Sequence, residues 1–527
     1  MFGAVMNTAR LVRAGFTVLR HGARVVPEDA NLPEPVQMFA RLTAPLRKRA
    51  AKGSRNEEKL SAALTALGPS YIKLGQFMAT RDDVVGREIA RDLEKLQDKL
   101  PPFPMREARK AVREELGRNV DELYAEFSEP VAAASIAQVH KASVKQDDGS
   151  LKQVAVKILR PGVESRFRKD LESYYFAART IEKLHPPTRR LRPYAVVDTL
   201  AQSVAIEMDL RLEAAAISEM AENTAEDEDF RVPGVDWTRS AKRVLTMEWI
   251  DGIPMADRER LVAEGHDPVR LSKVLMQSFL KHAMRDGFFH ADMHPGNLFV
   301  DGEGRIAAVD FGIMGRLSPR ERRFLAEILH GFITRNYRRV SEVHFEAGYV
   351  PRNQSVDLFA QALRAIGEPL MDKTANEISM AQLLGQLLQY TEVFNMQTQP
   401  QLLMLQKTMV VVEGVSRMLD PKLNMWTTSE PVVSEWMHKN LGVEGKLHDA
   451  AEGAGQVGHF VGEIPRLLGQ AEMVANAFAD MAQDGLRLDD DTIGRIASEQ
   501  SRRGRGGRIA LWIGALSLAA IALSMVF

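Results

Sequence analysis

The stretch from 288 to 313 constrains this chain more than any other. It reads Phe288-Phe289-His290-Ala291-Asp292-Met293-His294-Pro295-Gly296-Asn297 and closes on Asp310-Phe311-Gly312. An Asp is followed five residues later by an Asn, and an Asp-Phe-Gly comes about a dozen residues on. Magnesium prefers hard oxygen ligands in octahedral geometry. Asn297 and Asp310 offer a carbonyl and a carboxylate from two neighbouring loops and are the expected metal ligands. Asp292 lies where a base orients a hydroxyl or water for attack on a γ-phosphate. ATP and Mg2+ are therefore the expected cofactors. Asp-Phe-Gly alone arises often by chance, whereas both motifs in order at this spacing rarely do. A zinc site on His290 and His294, four apart, is the competing reading. Pro295 and Gly296 argue against the helix it needs, and the chain has no cysteine to complete it.

Upstream, Val154-Ala155-Val156-Lys157 sits in a strand-like run that follows a hairpin signal, Asp147-Asp148-Gly149-Ser150. A strand lysine ahead of the Asp/Asn and Asp-Phe-Gly loops is the order of a kinase-like fold, with the lysine reaching the α- and β-phosphates. Such a lysine needs an acidic partner on a helix, and Glu213 and Glu207 are the candidates. Glu248, at the end of the strand-like run Arg243–Trp249, is grouped with the nucleotide-binding residues. The fold class expected is α+β: a bilobal, protein-kinase-like architecture with a small β-rich N-lobe and a helical C-lobe.

Two departures from a protein kinase narrow the chemistry. Ala132-Ala133-Ala134-Ser135 stands where Gly-x-Gly-x-x-Gly is expected. Alanine restricts φ and keeps backbone further from phosphate, so the nucleotide is held differently. After Gly312 only Ile313 to Leu317 precede Ser318-Pro319-Arg320-Glu321, a helix start with a capping box and an early Pro. No Ala-Pro-Glu follows, and position 291 is Ala rather than Arg. A peptide has no platform here, which favours ATP hydrolysis or a small acceptor.

The chain divides by pattern. Residues 1–56 form a basic amphipathic and linker region, and 57–127 a helical extension with a break at Asp98–Pro104. Residues 128–250 are the N-lobe and 251–440 the C-lobe. Residues 441–508 read as a juxtamembrane amphipathic region, and 509–527 as a transmembrane helix. Residues 1–27 carry Arg10, Arg13, Arg20 and Arg24 without an acid and lack a signal-peptide core. The 19 residues from Ile509 to Phe527 carry no charge and follow Arg502, Arg503, Arg505 and Arg508. At ~1.5 Å per residue they span a bilayer core of about 30 Å. The expectation is a single pass through the inner (cytoplasmic) membrane, with the bulk of the protein on the cytoplasmic side. Small residues in this segment (Gly514, Ala515, Ala519, Ala520) would also allow a homodimer; the oligomeric state stays open. With 69 basic and 70 acidic residues there is no electrostatic case for nucleic acid.

Taken together, these motifs resemble the UbiB family of atypical kinase-like proteins, which support ubiquinone biosynthesis. The resemblance covers roughly residues 55–425. Its most specific element is Lys73-Leu74-Gly75-Gln76, the family's Lys-x-Gly-Gln motif. It implies that the extension folds over the place where a protein substrate would dock, and it sets Lys73 beside Asp292 and Lys157 among the catalytic residues. Lys73, Gly75, Gln76, Glu207 and Asp209 then shape a closed pocket. Glu207 and Asp209 match the family's Glu-x-Asp motif, which the resemblance pairs with Lys73, and Glu213 becomes the partner of Lys157. Ala132 to Ser135 matches the family's substitute for the Gly-rich loop. The run Lys407 to Pro421 is similar to a late helix of the family. The implied function is a membrane-anchored ATPase that gives access to, or transfers, lipid-soluble quinone precursors. The implied partners are membrane lipids, ubiquinone precursors and other proteins of the pathway. A small-molecule kinase and a nucleotide-binding scaffold are the alternatives.

Overall fold

Alternation of side chains along four strands builds the N-lobe around two faces. The computed structural model describes residues 2–21, 59–79, 100–184, 192–371 and 400–441, with single positions between them. The chain falls into two units, Met1–Met437 and His438–Phe527, and the account below concerns the first.

Helix α1 is Phe2–Arg20, α2 is Lys59–Leu67 and α3 is Pro69–Ala79. The break between the last two falls where Gly68 adopts φ +105° and Pro69 opens the next helix. Helix α4 is Met105–Leu116 and ends on Gly117 in the left-handed region, before a single turn, α5, at Val120–Leu123. Strands β1 (Glu126–Ala133), β2 (Ala137–Lys145) and β3 (Leu151–Leu159) follow. Helices α6 (Val163–Leu184), α7 (Pro193–Glu207) and α8 (Leu210–Asn223) come next. Then come β4 (Phe230–Arg231) and β5 (Val244–Glu248). The antiparallel sheet runs β1-β2-β3-β5. On its outer face Val154, Val156 and Ile158 pack with Ala108 and Val112 of α4. Residues between them in sequence, including Lys157, therefore face the cleft.

The C-lobe begins with β6 (Gly252–Pro254), α9 (Arg258–Ala263) and α10 (Pro268–Lys281). A π-helical turn, His282–Asp286, leads through Gly287 (φ +65°) into β7 (Phe288–His290). Strands β8 (Leu298–Asp301), β9 (Ile306–Ala308) and β10 (Met314–Arg316) complete the island. Strands β4, β9, β8 and β6 form a small sheet, and β7 and β10 an antiparallel ribbon. Five helices close the described part: α11 (Pro319–Ile333), α12 (Tyr337–Glu346), α13 (Val356–Met371), α14 (Pro400–Leu419) and α15 (Met425–Leu441). The expected capping box is present: the Ser318 hydroxyl takes the Glu321 N–H, and Glu321 takes the Ser318 N–H.

The α+β, kinase-like expectation thus holds. The single-pass membrane expectation is corrected: among the described residues no helix is long and apolar enough to cross a membrane. The described helices pair a buried apolar face with charged positions; α14, for instance, carries Lys407, Glu413 and Arg417. The inner-membrane location that rested on such a span does not stand. Residues 22–56 of the N-terminal region, 442–508 of the expected juxtamembrane region and the expected anchor at 509–527 lie outside the described residues. Strand β1 also starts at Glu126, just ahead of the expected N-lobe boundary at 128.

A candidate nucleotide site between the lobes

Three side chains from three elements meet at the centre of the cleft. Lys157 projects from β3 and donates to Glu213 of α8, at 2.8 and 2.9 Å from its two oxygens. The same ammonium donates to Asp310 Oδ1 at 2.7 Å. Lys157 and Glu213 are 12% and 6% exposed, whereas Asp310 is 51% exposed and opens on the cleft. Burial works against the Lys157 ammonium, yet Asp310 and Glu213 hold its pKa above the ordinary lysine value. Burial is the largest influence on Glu213 and pushes its carboxyl up to about 7, with Lys157 pulling the other way. Lys157 is the largest influence on Asp310 and, with help from Lys73, holds its carboxyl down at about 2. Asp310 also has φ +63°, a left-handed backbone that a non-glycine residue adopts at a cost.

The Asp/Asn loop is built on a buried histidine. His290 is fully enclosed; its Nε2 faces the Val309 carbonyl at 3.1 Å and its Nδ1 faces the Asp292 N–H at 3.1 Å. Those partners require the neutral Nε2–H tautomer, and burial lowers the His290 pKa accordingly. Both ring nitrogens are committed, which removes the zinc alternative. The ring also meets Phe311 edge-on at 5.0 Å, tying the two loops together. Asn297 donates its Nδ2 to the Asp292 carbonyl (3.1 Å) and carboxylate (3.3 Å). That orientation turns its carbonyl oxygen away from Asp292. Asn297 Oδ1 and the Asp310 oxygen not held by Lys157 are hard donors suited to Mg2+.

The helical extension reaches this centre. Lys73 of α3 pairs with Glu207 of α7 at 2.7 Å, both largely buried. Gly75 lies on the packed side of α3: a Cβ there would meet Leu96 and Leu64 methyls at 2.3 and 2.7 Å. Gln76 is half-buried on the same helix. Asp209 caps α8 by accepting the Arg211 N–H and also carries the Arg211 guanidinium at 2.6 Å. Glu248, at the end of β5, accepts from Arg231 at 2.8 Å and from the Gly234 N–H at 3.3 Å. The structure therefore gives the Glu248 side chain a role in joining the lobes, since Arg231 also reaches Asp301 of β8.

Comparison with known proteins fits this geometry. The profile of the ABC1 atypical kinase-like domain matches residues 95–344, and that of the UbiB helical domain residues 363–424. A "Probable protein kinase UbiB" of Marinobacter nauticus is 38% identical over 443 residues, which cover 83% of this chain and 80% of that protein. The chain belongs to the UbiB family. Among solved structures, the complex of Rv3197 with erythromycin from Mycobacterium tuberculosis is 27% identical, with a TM-score of 0.50. That match covers 75% of this chain and 98% of that one.

In this UbiB-family chain the structure brings Lys157, Glu213, Asp310, Asp292 and Asn297 together, and Lys73 with Glu207 beside them. Ala132 and Ala133 end β1, and Ala134 and Ser135 form the turn into β2. Two residues near the site escaped sequence reasoning. Thr408 of α14 lies with its hydroxyl 3.0 Å from the Ala291 carbonyl, inside the Asp/Asn loop. Arg160, one residue past β3, donates to the Ala134 carbonyl from Nε and Nη2 at 3.0 and 2.8 Å. Neither contact leaves a periodic or motif signal, because each joins positions far apart in sequence.

Proposed function

We propose that this chain binds Mg2+–ATP in the cleft and couples its turnover to the handling of lipid-soluble precursors in ubiquinone biosynthesis. The observation that carries this reading is Lys157 held between Glu213 and Asp310, beside the Asp292–Asn297 loop. Glu213 fixes the reach of Lys157 toward the α- and β-phosphates. Asn297 and Asp310 would hold the magnesium ion, which when bound offsets the charge of the phosphates. Asp292 orients a water or hydroxyl and takes its proton at the carboxylate. The ribbon β7–β10 absorbs the residues after Gly312, and α11 starts at Pro319. That leaves no loop to seat a peptide and favours water or a small acceptor. Membership of the UbiB family supports the assignment to ubiquinone biosynthesis.

The test follows γ-labelled ATP with Mg2+ and the full-length protein, with and without a quinone-precursor extract, against Asp310→Asn. Free labelled phosphate that rises with the extract and vanishes in the variant is the expected result. Label recovered on a lipid-soluble molecule would shift the reading to a small-molecule kinase. Turnover retained in Asp310→Asn would refute the assignment of the site.

A further inference from the structure

A cluster on the outer face of the N-lobe sheet links the helical extension to the alanine loop. Gln138 and Ile158 are paired across β2 and β3, so Gln138 points away from the cleft with Ile158, opposite to Lys157. Gln138 is buried, and its amide grips the backbone of Phe103 at both ends. Its Oε1 takes the Phe103 N–H at 2.9 Å, and its Nε2 faces the Phe103 carbonyl at 3.3 Å. The second Nε2 proton goes to His140 Nε2 at 2.9 Å, and His140 Nδ1 then donates to the Ser128 carbonyl of β1 at 2.9 Å. Every donor and acceptor of the Gln138 amide is thereby oriented.

Arg160 completes the link. Its backbone N–H donates to Ile136 at 2.8 Å, which sets it at the end of the sheet next to the loop. Its guanidinium grips the Ala134 carbonyl from two nitrogens, at 3.0 and 2.8 Å. Nη2 also reaches the Leu100 carbonyl at 3.4 Å, and the guanidinium lies 5.7 Å from the Phe103 ring centroid. The Ala134 N–H is itself used by Ala137 at 2.8 Å. One planar fork thus spans the alanine loop and the connector that carries the extension.

We propose that Arg160 and Gln138 form a strut through which the connector at 100–104 sets the position of the loop at 132–135, making Arg160 a positioning residue for nucleotide binding. This rests on the nucleotide reading of the cleft. It accounts for a loop without glycine: where a Gly-rich loop shapes itself around phosphate by its own freedom, this one is held from behind.

The experiment uses the full-length protein, a fluorescent ATP analogue with Mg2+, and amide exchange at Ala134 and Phe103. The variants are Arg160→Met, Gln138→Met and the double, with Arg160→Lys to keep the charge without the fork. Each single Met variant is expected to weaken nucleotide binding about tenfold, because either substitution removes hydrogen bonds that hold the connector to the loop. The double should be no worse than the weaker single. Arg160→Lys should behave like Arg160→Met. Loss at either residue should speed exchange at both Ala134 and Phe103, since coupling is reciprocal. Effects that multiply in the double variant, or exchange that changes only next to each substitution, would overturn the strut. A wild-type protein that binds no nucleotide would sink the nucleotide reading instead, and the exchange pattern would still decide the strut.

Discussion

Gly315 offers a direct test of how the site is held. It lies on β10 opposite Phe289, with Met314 opposite His290. A Cβ at Gly315 would fall 2.1 Å from the Phe289 Cζ and 2.5 Å from both Cε atoms. An ordinary carbon contact is about 3.5–4.0 Å, so the ring or the strand must retreat by about 1.5 Å. Phe289 is 1% exposed and meets Phe279 edge-on at 5.8 Å, so the ring has nowhere to go. Overpacking of this kind costs about 3 kcal/mol, the upper part of the usual range. At ~2 °C per kcal/mol for a large domain, the melting temperature of Gly315→Ala should fall by about 6 °C. The strand shift also moves His290, which orients Asp292. A displacement of about 1 Å at a reacting group costs on the order of 100-fold in rate. Thermal melting and ATP turnover measured together test both effects. Gly414→Ala is the control: a Cβ there meets nothing within 4 Å, and the helix α14 should gain about 0.5–1 kcal/mol. A Gly315→Ala protein that melts with the wild type would refute the packing argument.

The other predictions concern charge, capping and helix packing. Glu213 has its carboxyl raised to about 7. Its contribution to stability is therefore full below the ordinary carboxylate range and is lost as pH rises through 7. By that sign, Glu213→Gln should gain stability relative to wild type between pH 5 and pH 8. Paired melting curves at both pH values check this, and a relative loss would contradict it. Ser318→Ala breaks the capping box at α11 and should cost about 1 kcal/mol, read as a lower denaturation midpoint. Gly75→Ala meets the methyl ends of Leu96, Leu64 and Leu93, which can turn aside. Its cost should be about 1 kcal/mol, smaller than that of Gly315→Ala, and a larger drop in melting temperature would count against that ranking.

Much of the site was legible because its chemistry is local. Asp292 and Asn297 share one loop, Asp310-Phe311-Gly312 another, and a phosphate-handling site needs those groups in that order. The strands around Lys157 were visible as strand-like apolar runs on either side of the Asp147–Ser150 turn, and α11 from its capping box. The break at Gly68-Pro69 showed itself because only a glycine tolerates φ +105° at no cost. Contacts between distant segments were a different matter. Nothing in the pattern of residues chooses between Glu207 and Glu213 as the partner of Lys157; the resemblance favoured Glu213, and the packing of α8 on the sheet places it there. Two-residue β4 and three-residue β6 carry too few residues for periodicity to register, yet they form a sheet that joins the lobes. The grip of Arg160 on Ala134 and of Gln138 on Phe103 depends on which face of the sheet α4 covers. Sequence alone determined the chemical groups and their order, because local spacing sets which atoms share a loop. Tertiary structure decided which charges neutralise one another and what holds the loops still, because those energies depend on distance and burial between segments up to 153 residues apart.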